Sequence, residues 1–145
     1  MATTESTYTG STSTGPYSFT FPYIKEADVK VSKNSVELDL TTDYTQATTS
    51  ITLVSAPLVG DKIRIYRNTD TAGLVATFYP GSAIRSSDLN DNFTQNLYVT
   101  QEAENDTATA ITDSATAITT ADEADANATS ALNNSRESDG EGGYN

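Results

Sequence analysis

The sequence has no cysteine and no histidine. The absence of cysteine excludes disulfides, thiol nucleophiles and zinc–thiolate sites. The absence of histidine removes the side chain most often used as a general base. Half of the acids lie in a C-terminal segment where a substrate cleft is difficult to build, and no catalytic motif is present. We therefore predict a protein that is not an enzyme and that holds no metal or cofactor.

Long apolar runs are also absent. No stretch approaches the ~18 apolar residues that indicate a membrane-spanning helix. The N-terminus, MATTESTYTG, lacks the positive charge and the apolar core of a signal peptide. We therefore expect a soluble chain that is made in a cytoplasm and does not insert into a membrane.

Basic residues are scarce in the last third of the chain. Residues 101–145 hold ten acids and a single base, Arg136, and account for most of the net charge of −12. A phosphate backbone or an anionic lipid surface would be repelled by this segment. The charge distribution thus argues against nucleic acid as a direct partner.

The first part of the chain follows a period of two, which is typical of β-strands. Four aromatic residues alternate within residues 17–23. Apolar residues alternate again in 29–31 and 36–40, on either side of a turn candidate at 33–35, as in a hairpin. Further strand candidates are residues 50–54, 62–67 and 74–78. These short strands predict an antiparallel β-sandwich or open barrel over residues 17–84.

The first sixteen residues are rich in threonine, serine and glycine. Such a composition at a chain terminus is typical of a mobile segment. We predict that residues 1–16 form a flexible arm, or one that orders only against a neighbour.

Two features of these strands have alternative interpretations. The aromatic residues 17–23 could form a sugar-binding surface, because tyrosines stack on sugars, but a sandwich core is the better interpretation, with Pro22 at an edge or a strand end. Arg64 and Arg67 project to opposite sides of one strand, because their spacing is odd. One of them is a candidate for binding an acidic partner surface; the alternative is a solvated strand residue.

A helical pattern begins after residues 80–82, Pro-Gly-Ser. Residues 86–88, Ser-Ser-Asp, supply capping side chains and an acid for a helix N-terminus. Leu89, Phe93 and Leu97 then follow at i, i+4 and i+8, which is one apolar stripe of a helix.

The helix is predicted to be long. No glycine or proline occurs in residues 88–135, and three glycines follow near the C-terminus. We predict a helix over residues 85–136 and a flexible tail over residues 137–145.

A repeat of seven runs through this predicted helix. The predicted seam consists of Ala103, Ala110, Ile111, Ser114, Ala117, Ile118, Ala121, Ala124, Ala128, Ala131 and Leu132. A strict repeat of seven specifies a left-handed coiled coil. Alone the helix should be unstable, because threonine is a poor helix former and no Lys or Arg lies between Gln101 and Asn134 to pair with its acids. The alternative is a disordered acidic linker.

The predicted fold class is therefore mostly β with a C-terminal α segment. An N-terminal antiparallel β-sandwich is followed by a long helix that joins a coiled coil. The alanine-rich seam is compatible with several oligomeric states, so the number of chains stays open at this point.

An ordered set of short motifs runs from residue 8 to about residue 106. It comprises YTG at 8–10, FTFPYI at 19–24, DV at 28–29, TDY at 42–44, ITL at 51–53, Gly60, IRIYR at 63–67, Thr69, Phe78, GS at 81–82, IR at 84–85, DLN at 88–90, Gln95 and QEA at 101–103. No single motif is diagnostic. In this order, the set resembles the N-terminal region of tail fibre proteins of T7-like short-tailed bacteriophages.

The resemblance implies a virion structural protein located in the phage tail. Its N-terminal domain would anchor a fibre to the tail adaptor and nozzle proteins, and the fibre would be a parallel homotrimer whose far end reads the host receptor. Fibres of this family continue into a long shaft and a tip, whereas this sequence ends at Asn145. We expect either a stub that recruits a separate distal fibre or receptor-binding protein, or a part of a longer fibre.

We place the candidate tail-docking surface where the β domain joins the helix, because the motifs are densest there. Its residues are Phe78, Gly81, Ser82, Ile84, Arg85, Asp88 and Asn90. An alternative function is a cell-surface binding module, in which the β domain itself binds a carbohydrate or protein and acts directly as an adhesin.

Overall fold

The computed structural model describes residues 2–140, with side chains through residue 136. The strands in this range are β1 Glu5–Thr9, β2 Tyr17–Ser18, β3 Val29–Lys33, β4 Val36–Leu38, β5 Tyr44–Ala47, β6 Ser50–Leu53 and β7 Lys62–Arg67. A 3-10 helix, Glu26–Asp28, precedes β3, and one long helix, α1, spans Ser86–Gly140. The chain divides into a first compact unit that ends at Asn105 and a second that begins at Asp106.

The strands form two antiparallel sheets. One sheet has four strands in the order β1-β7-β3-β4, and the other has three in the order β2-β6-β5. The two sheets share one hydrophobic core, whose members are Tyr17, Phe19, Phe21, Val29, Val31, Tyr44, Ile51, Leu53, Ile63 and Ile65. Strand residues at alternate positions face this core because side chains alternate across a strand. The prediction of antiparallel sheets followed by a long helix is confirmed.

The predicted hairpin is present between β3 and β4. Val31 pairs with Leu38 and Lys33 pairs with Val36, and the connecting residues Asn34 and Ser35 have φ angles of 51° and 69°. Positive φ at both central residues is the geometry of a two-residue hairpin turn that matches the twist of the strands.

Strand β1 differs from the expectation for the N-terminal residues. Residues 5–9 do not belong to a flexible arm; they pair with β7 in register from Glu5↔Tyr66 to Thr9↔Lys62. The Tyr8 ring packs against Tyr17 with ring centroids 5.2 Å apart. A single aromatic residue in a Ser- and Thr-rich segment gives no clear strand pattern, and the pairing with β7 supplies the stabilisation.

Residues 74–78, predicted to be a strand, have no strand conformation in the structure. Backbone groups of this segment bind helix side chains instead of a sheet. The amide of Val75 donates to Gln95, and the amide and carbonyl of Ala76 both bind the Asn92 side chain. The apolar alternation of this segment therefore does not lead to a strand, because α1 satisfies its backbone hydrogen bonds.

The loop between β6 and β7 is closed tightly against the end of β1. The amide of Gly10 donates to the Asp61 carbonyl at 2.7 Å, and the amide of Gly60 donates to the Gly10 carbonyl at 3.1 Å. A Cβ atom on Gly10 would collide with the carbonyl oxygen of Leu58. Glycine is therefore required at position 10 by close approach of backbone.

The Asp61 carboxylate holds the same loop together. It accepts hydrogen bonds from the Asn34 side-chain amide at 2.8 Å and from the Leu58 backbone amide at 2.9 Å. These two hydrogen bonds, the one from Asn34 being the stronger influence, lower the pKa of Asp61 below its usual value. The loop is thus preorganised by a charged acceptor.

The second unit is the part of α1 that begins at Asp106. Threonine hydroxyls bond within the helix, as in Thr112 to the Ala108 carbonyl at 2.9 Å and Thr116 to the Thr112 carbonyl at 3.0 Å. Nearly all side chains of residues 106–136 are exposed.

Among the described residues, no helix is both long and apolar enough to cross a membrane. Of the predicted tail, residues 137–140 belong to α1 and 141–145 lie outside the described residues.

Candidate functional site

The start of α1 has two opposite faces, one polar and one apolar. On one face, polar side chains bind the β domain; we call them, together with Arg67 of β7, the helix clasp. The members of the helix clasp are Arg67, Asn92, Gln95, Glu102 and Asn105. The opposite face carries Leu89, Phe93 and Leu97. Because an α-helix has about 3.6 residues per turn, these apolar residues lie on the side of α1 opposite to its clasp residues.

Arg67 is the centre of the helix clasp. Its side chain is fully buried, and its Nε donates to Glu102 Oε1 at 2.6 Å. The remaining guanidinium nitrogens donate to the Pro22 carbonyl at 2.9 Å and to Gln101 Oε1 at 2.9 Å. The guanidinium also lies over the ring of Tyr98, 3.9 Å from its centroid. The buried charge is thus paired and hydrogen-bonded, which is the arrangement that makes its burial tolerable.

Glu102 connects the helix to the segment that follows β7. Besides Arg67, its carboxylate accepts hydrogen bonds from the Thr69 amide at 3.0 Å and the Thr69 hydroxyl at 2.6 Å. Asn105 continues the contact one turn later, where its side-chain amide donates to the Ala2 carbonyl at 2.9 Å. The helix clasp therefore reaches both β7 and the segment that precedes β1.

Gln95 and Asn92 hold the irregular segment after β7. The side-chain amide of Gln95 donates to the Asp70 carbonyl at 2.6 Å and to the Gly73 carbonyl at 2.8 Å, and its oxygen accepts from Val75 at 3.3 Å. Gln95 is buried, with 7% of its surface exposed to solvent. Each of these bonds fixes both a distance and a direction, so the helix clasp defines how the helix is turned about its axis.

The opposite face of the helix start is apolar and open to solvent. Phe93 is 66% exposed and Leu97 is 54% exposed, and Leu89 is 38% exposed. The seven-residue column of Leu97 leads through Glu104 to Ile111, which is 65% exposed. Leu89, Phe93 and Leu97 thus form one exposed apolar stripe on the helix start, a feature that is typical of interaction surfaces.

The predicted tail-docking residues lie where β domain and helix join. The exposed members are Gly81, Ser82, Ile84, Arg85 and Asn90, while Phe78 and Asp88 are half-buried. Ser82 closes a turn by donating from its hydroxyl to the Tyr79 carbonyl at 2.7 Å, and Gly81 has a φ of 83°. Asp88 lies in the first turn of α1, where an acid is favoured by the helix dipole. These residues are close together in the sequence, within residues 78–90, and their docking role stays a prediction.

The predicted coiled-coil seam lies on α1, and its members from Ala103 to Leu132 are all exposed. The larger ones, Ile118 and Leu132, are 63% and 65% exposed. The seam is therefore accessible, and the oligomeric state of the chain stays a prediction.

Arg67 is the main residue whose role the sequence analysis does not identify. It was one of two candidates for an acidic partner surface, and its acidic partner is Glu102 of the same chain. Arg64, the other candidate, is half-exposed and pairs with Glu5 at 2.6 Å. A signal for Arg67 exists, because it follows the buried Ile63 and Ile65 in the same alternation. A charged residue on the buried face of a strand indicates a buried partner.

The aromatic residues 17–23 belong to the core and do not form an open sugar-binding face. Tyr17, Phe19 and Phe21 are 7%, 2% and 3% exposed, and the hydroxyl of Tyr23 donates to the Thr48 carbonyl at 3.0 Å. Among the described residues, no group of three acids gathers closely enough to hold a metal ion.

Comparison with known protein families gives one match. The chain matches the family described as Phage T7 tail fibre protein, N-terminal domain, over residues 1–124. A search of curated proteins gives no match. The matched range covers both sheets, the helix clasp and most of the seam. The chain therefore belongs to the family of phage T7 tail fibre N-terminal domains, and it is a structural component of a bacteriophage tail fibre.

Proposed function

We propose that this chain anchors a fibre to the phage tail and begins the fibre shaft that serves host attachment. The β domain docks on the tail adaptor and nozzle proteins. Helix α1 joins the same helix of two further copies in a parallel coiled coil. A separate distal fibre or receptor-binding protein, or a continuation of the fibre, then carries the host-recognition step.

The two-faced helix start carries this proposal. The helix clasp uses one face of α1 to hold the β domain, so three helices can meet through the opposite face without displacing their domains. That opposite face is apolar at Leu89, Phe93 and Leu97, and from Leu97 a column with a spacing of seven residues leads to Ile111 and Ile118. The family membership supplies the biological context of a tail fibre.

A parallel arrangement follows from what an anchor must do. Parallel helices place all three β domains at one end of the bundle, where they can engage one tail surface. The strict repeat of seven favours in-register packing. Alanines in the seam bury little, about 0.8 kcal/mol per methyl group, so the bundle depends on its few large residues and on the attached domains.

The docking surface on the β domain is placed at the join with the helix. Ile84 is 63% exposed and Tyr79 is 71% exposed, and both lie in the same irregular segment as the exposed Arg85. Aromatic, aliphatic and arginine side chains of this kind are enriched at protein interfaces.

The experiment is a paired binding assay with the purified chain. We expect co-purification with tail adaptor or nozzle protein, and no retention on host cells. The adhesin alternative predicts the reverse, namely retention on host cells without tail proteins. Binding to cells at the level of intact fibres would overturn the anchor proposal.

A second measurement addresses assembly. The mass of the full chain in solution, measured by light scattering or sedimentation at micromolar concentration, should correspond to three chains. A monomer at that concentration would contradict the trimeric shaft while leaving the tail-binding result to be judged separately.

A further inference from the structure

The part of α1 in the second unit does not by itself select one packing face. The seam contains an alanine every seven residues from Ala110 onward. Ala108 and Ala115 repeat the same spacing towards another side of the helix, and the column of Ile111 is interrupted by Asp125. Several small-residue columns allow more than one rotational setting of packed helices, because each lets neighbouring backbones approach closely.

The helix clasp supplies what the seam lacks. Its contacts extend over about four turns of α1, from Asn92 to Asn105, and all lie on one side. Most of its acceptors are backbone carbonyls or carboxylates at defined positions, including the carbonyls of Asp70 and Gly73. A rotation of the helix about its axis would take Glu102 and Gln101 away from the buried Arg67. It would also break the hydrogen bonds of the buried Gln95 to the Asp70 and Gly73 carbonyls, and both losses are strongly unfavourable.

We infer that the helix clasp sets the rotational phase of the start of α1, residues 86–105, so that the β domain decides which face of this segment meets the neighbouring copies. The residues presented are Leu89, Phe93 and Leu97. Packing started at these large side chains then extends along the column of Ile111 in preference to the alternative alanine columns. The inference rests on the proposed assembly of α1 with further copies, and it assigns to Arg67 and Glu102 the role of positioning residues.

The absence of cysteine allows a direct test in the full chain. A single cysteine is placed either on the presented face, as Leu97→Cys, or on the domain side, as Asp91→Cys, where the native side chain is exposed. A disulfide between copies requires Cα atoms within about 7 Å. With the helix clasp intact, mild oxidation should cross-link the Leu97→Cys chain and leave the Asp91→Cys chain uncross-linked.

The helix clasp is then weakened by Asn92→Ala, Gln95→Ala and Glu102→Gln together. These changes leave the core residues of both sheets unaltered. The expected result is a loss of selectivity: cross-linking at position 97 falls, cross-linking at position 91 rises, and the ratio of the two approaches one. The matched control is Asn90→Ala with Asn96→Ala, which removes two exposed amides from the same helix segment and should keep the ratio unchanged.

Two further measurements separate the possible outcomes. Ile111→Cys reports on the coil itself, so its failure to cross-link in the otherwise native chain would count against the assembly and not against the helix clasp. If near-ultraviolet circular dichroism shows that the triple variant has lost its β domain, Glu102→Gln alone is the deciding variant. Unchanged selectivity between positions 97 and 91 in a folded clasp variant would overturn the inference.

Discussion

Arg67 of strand β7 and Glu102 of helix α1 are joined by a hydrogen bond of 2.6 Å between Nε and Oε1. The Arg67 side chain has no solvent exposure, and that of Glu102 is 14% exposed. This ion pair joins two residues that are 35 positions apart in the sequence, and it connects the last strand of the β domain with the long helix that follows it.

Loss of one member of this pair should be costly. We expect Arg67→Ala to lower the free energy of unfolding by about 3–5 kcal/mol, because the Glu102 carboxylate is left without its main partner in a buried site. Replacing both residues by methionine should cost much less. Urea unfolding at a fixed protein concentration measures both effects. Equal losses for the single and the double variant would show that packing, and not the unpaired charge, controls stability here.

A charge placed in the seam should block assembly. Ile118→Asp removes a large apolar residue from the seam. The introduced carboxylates of the assembled copies would also lie close together and repel one another. Burying an isoleucine contributes about 1.5–3 kcal/mol per side chain, so a trimer loses at least about 4.5 kcal/mol. Because about 1.4 kcal/mol corresponds to a tenfold change in an equilibrium constant, oligomer formation should weaken by more than a hundredfold. Sedimentation across a concentration series checks this. Thr116→Asp, an exposed position outside the seam, is the control and should assemble nearly as the native chain does.

The close approach at Gly10 gives a stability prediction. An added Cβ would meet the Leu58 carbonyl oxygen and lie 3.1 Å from the Pro57 Cβ. Gly10→Ala should therefore destabilise the β domain by about 1–3 kcal/mol, as overpacking does. Gly73→Ala, where nothing lies within 4 Å, should be neutral or slightly stabilising. A thermal melt that ranks the two variants in the opposite order would refute this account of the loop.

The Asp61 carboxylate should make stability fall in acid. Hydrogen bonds from Asn34 and from the Leu58 amide lower the pKa of Asp61, so its ionised form is favoured in the folded state. A group with a depressed pKa contributes stability above its unfolded pKa of about 4, and this contribution is lost as the pH falls through the folded pKa. The stability advantage of the native chain over Asp61→Asn should shrink between pH 7 and pH 3 in urea unfolding. A constant difference over this range would contradict the prediction.

Tyr44 should affect the alkaline limit of stability. Its side chain is 1% exposed, and burial, with a smaller influence from the Glu37 charge, raises the pKa of Tyr44. A raised pKa for a hydroxyl means that stability is fully present below the unfolded value of about 10 and is lost as the pH rises through the folded value. Tyr44→Phe should thus reduce the decline in stability above pH 10. At neutral pH it should cost about 1 kcal/mol, because the Val29 carbonyl loses its 3.2 Å hydrogen bond.

Local patterns predicted the elements whose signal is periodic. The alternation around residues 33–35 predicted the β3–β4 hairpin, and the uninterrupted stretch after Asp88 predicted the long helix, which the structure extends to Ser86–Gly140. The ordered motifs indicated the family. These features depend on residues that are close in sequence, so a single sequence contains them directly.

Residues 5–9 and 74–78 show where such patterns fail. The first segment becomes a strand through pairing with β7, although it has one aromatic residue. The second has an apolar alternation but binds the side chains of Asn92 and Gln95 instead of a strand. In both cases the partner of the backbone hydrogen bonds lies far away in the sequence, and local propensity does not specify it.

The sequence by itself determined an acidic chain with a two-layer β domain, a long helix and a repeat of seven that runs along that helix. Only the tertiary structure decided which side of the helix start faces the β domain, because that choice depends on Arg67 meeting Glu102 across 35 residues. A periodic pattern shows which residues share one face of a helix. Contacts between residues that are distant in sequence determine whether that face is turned towards the β domain or away from it.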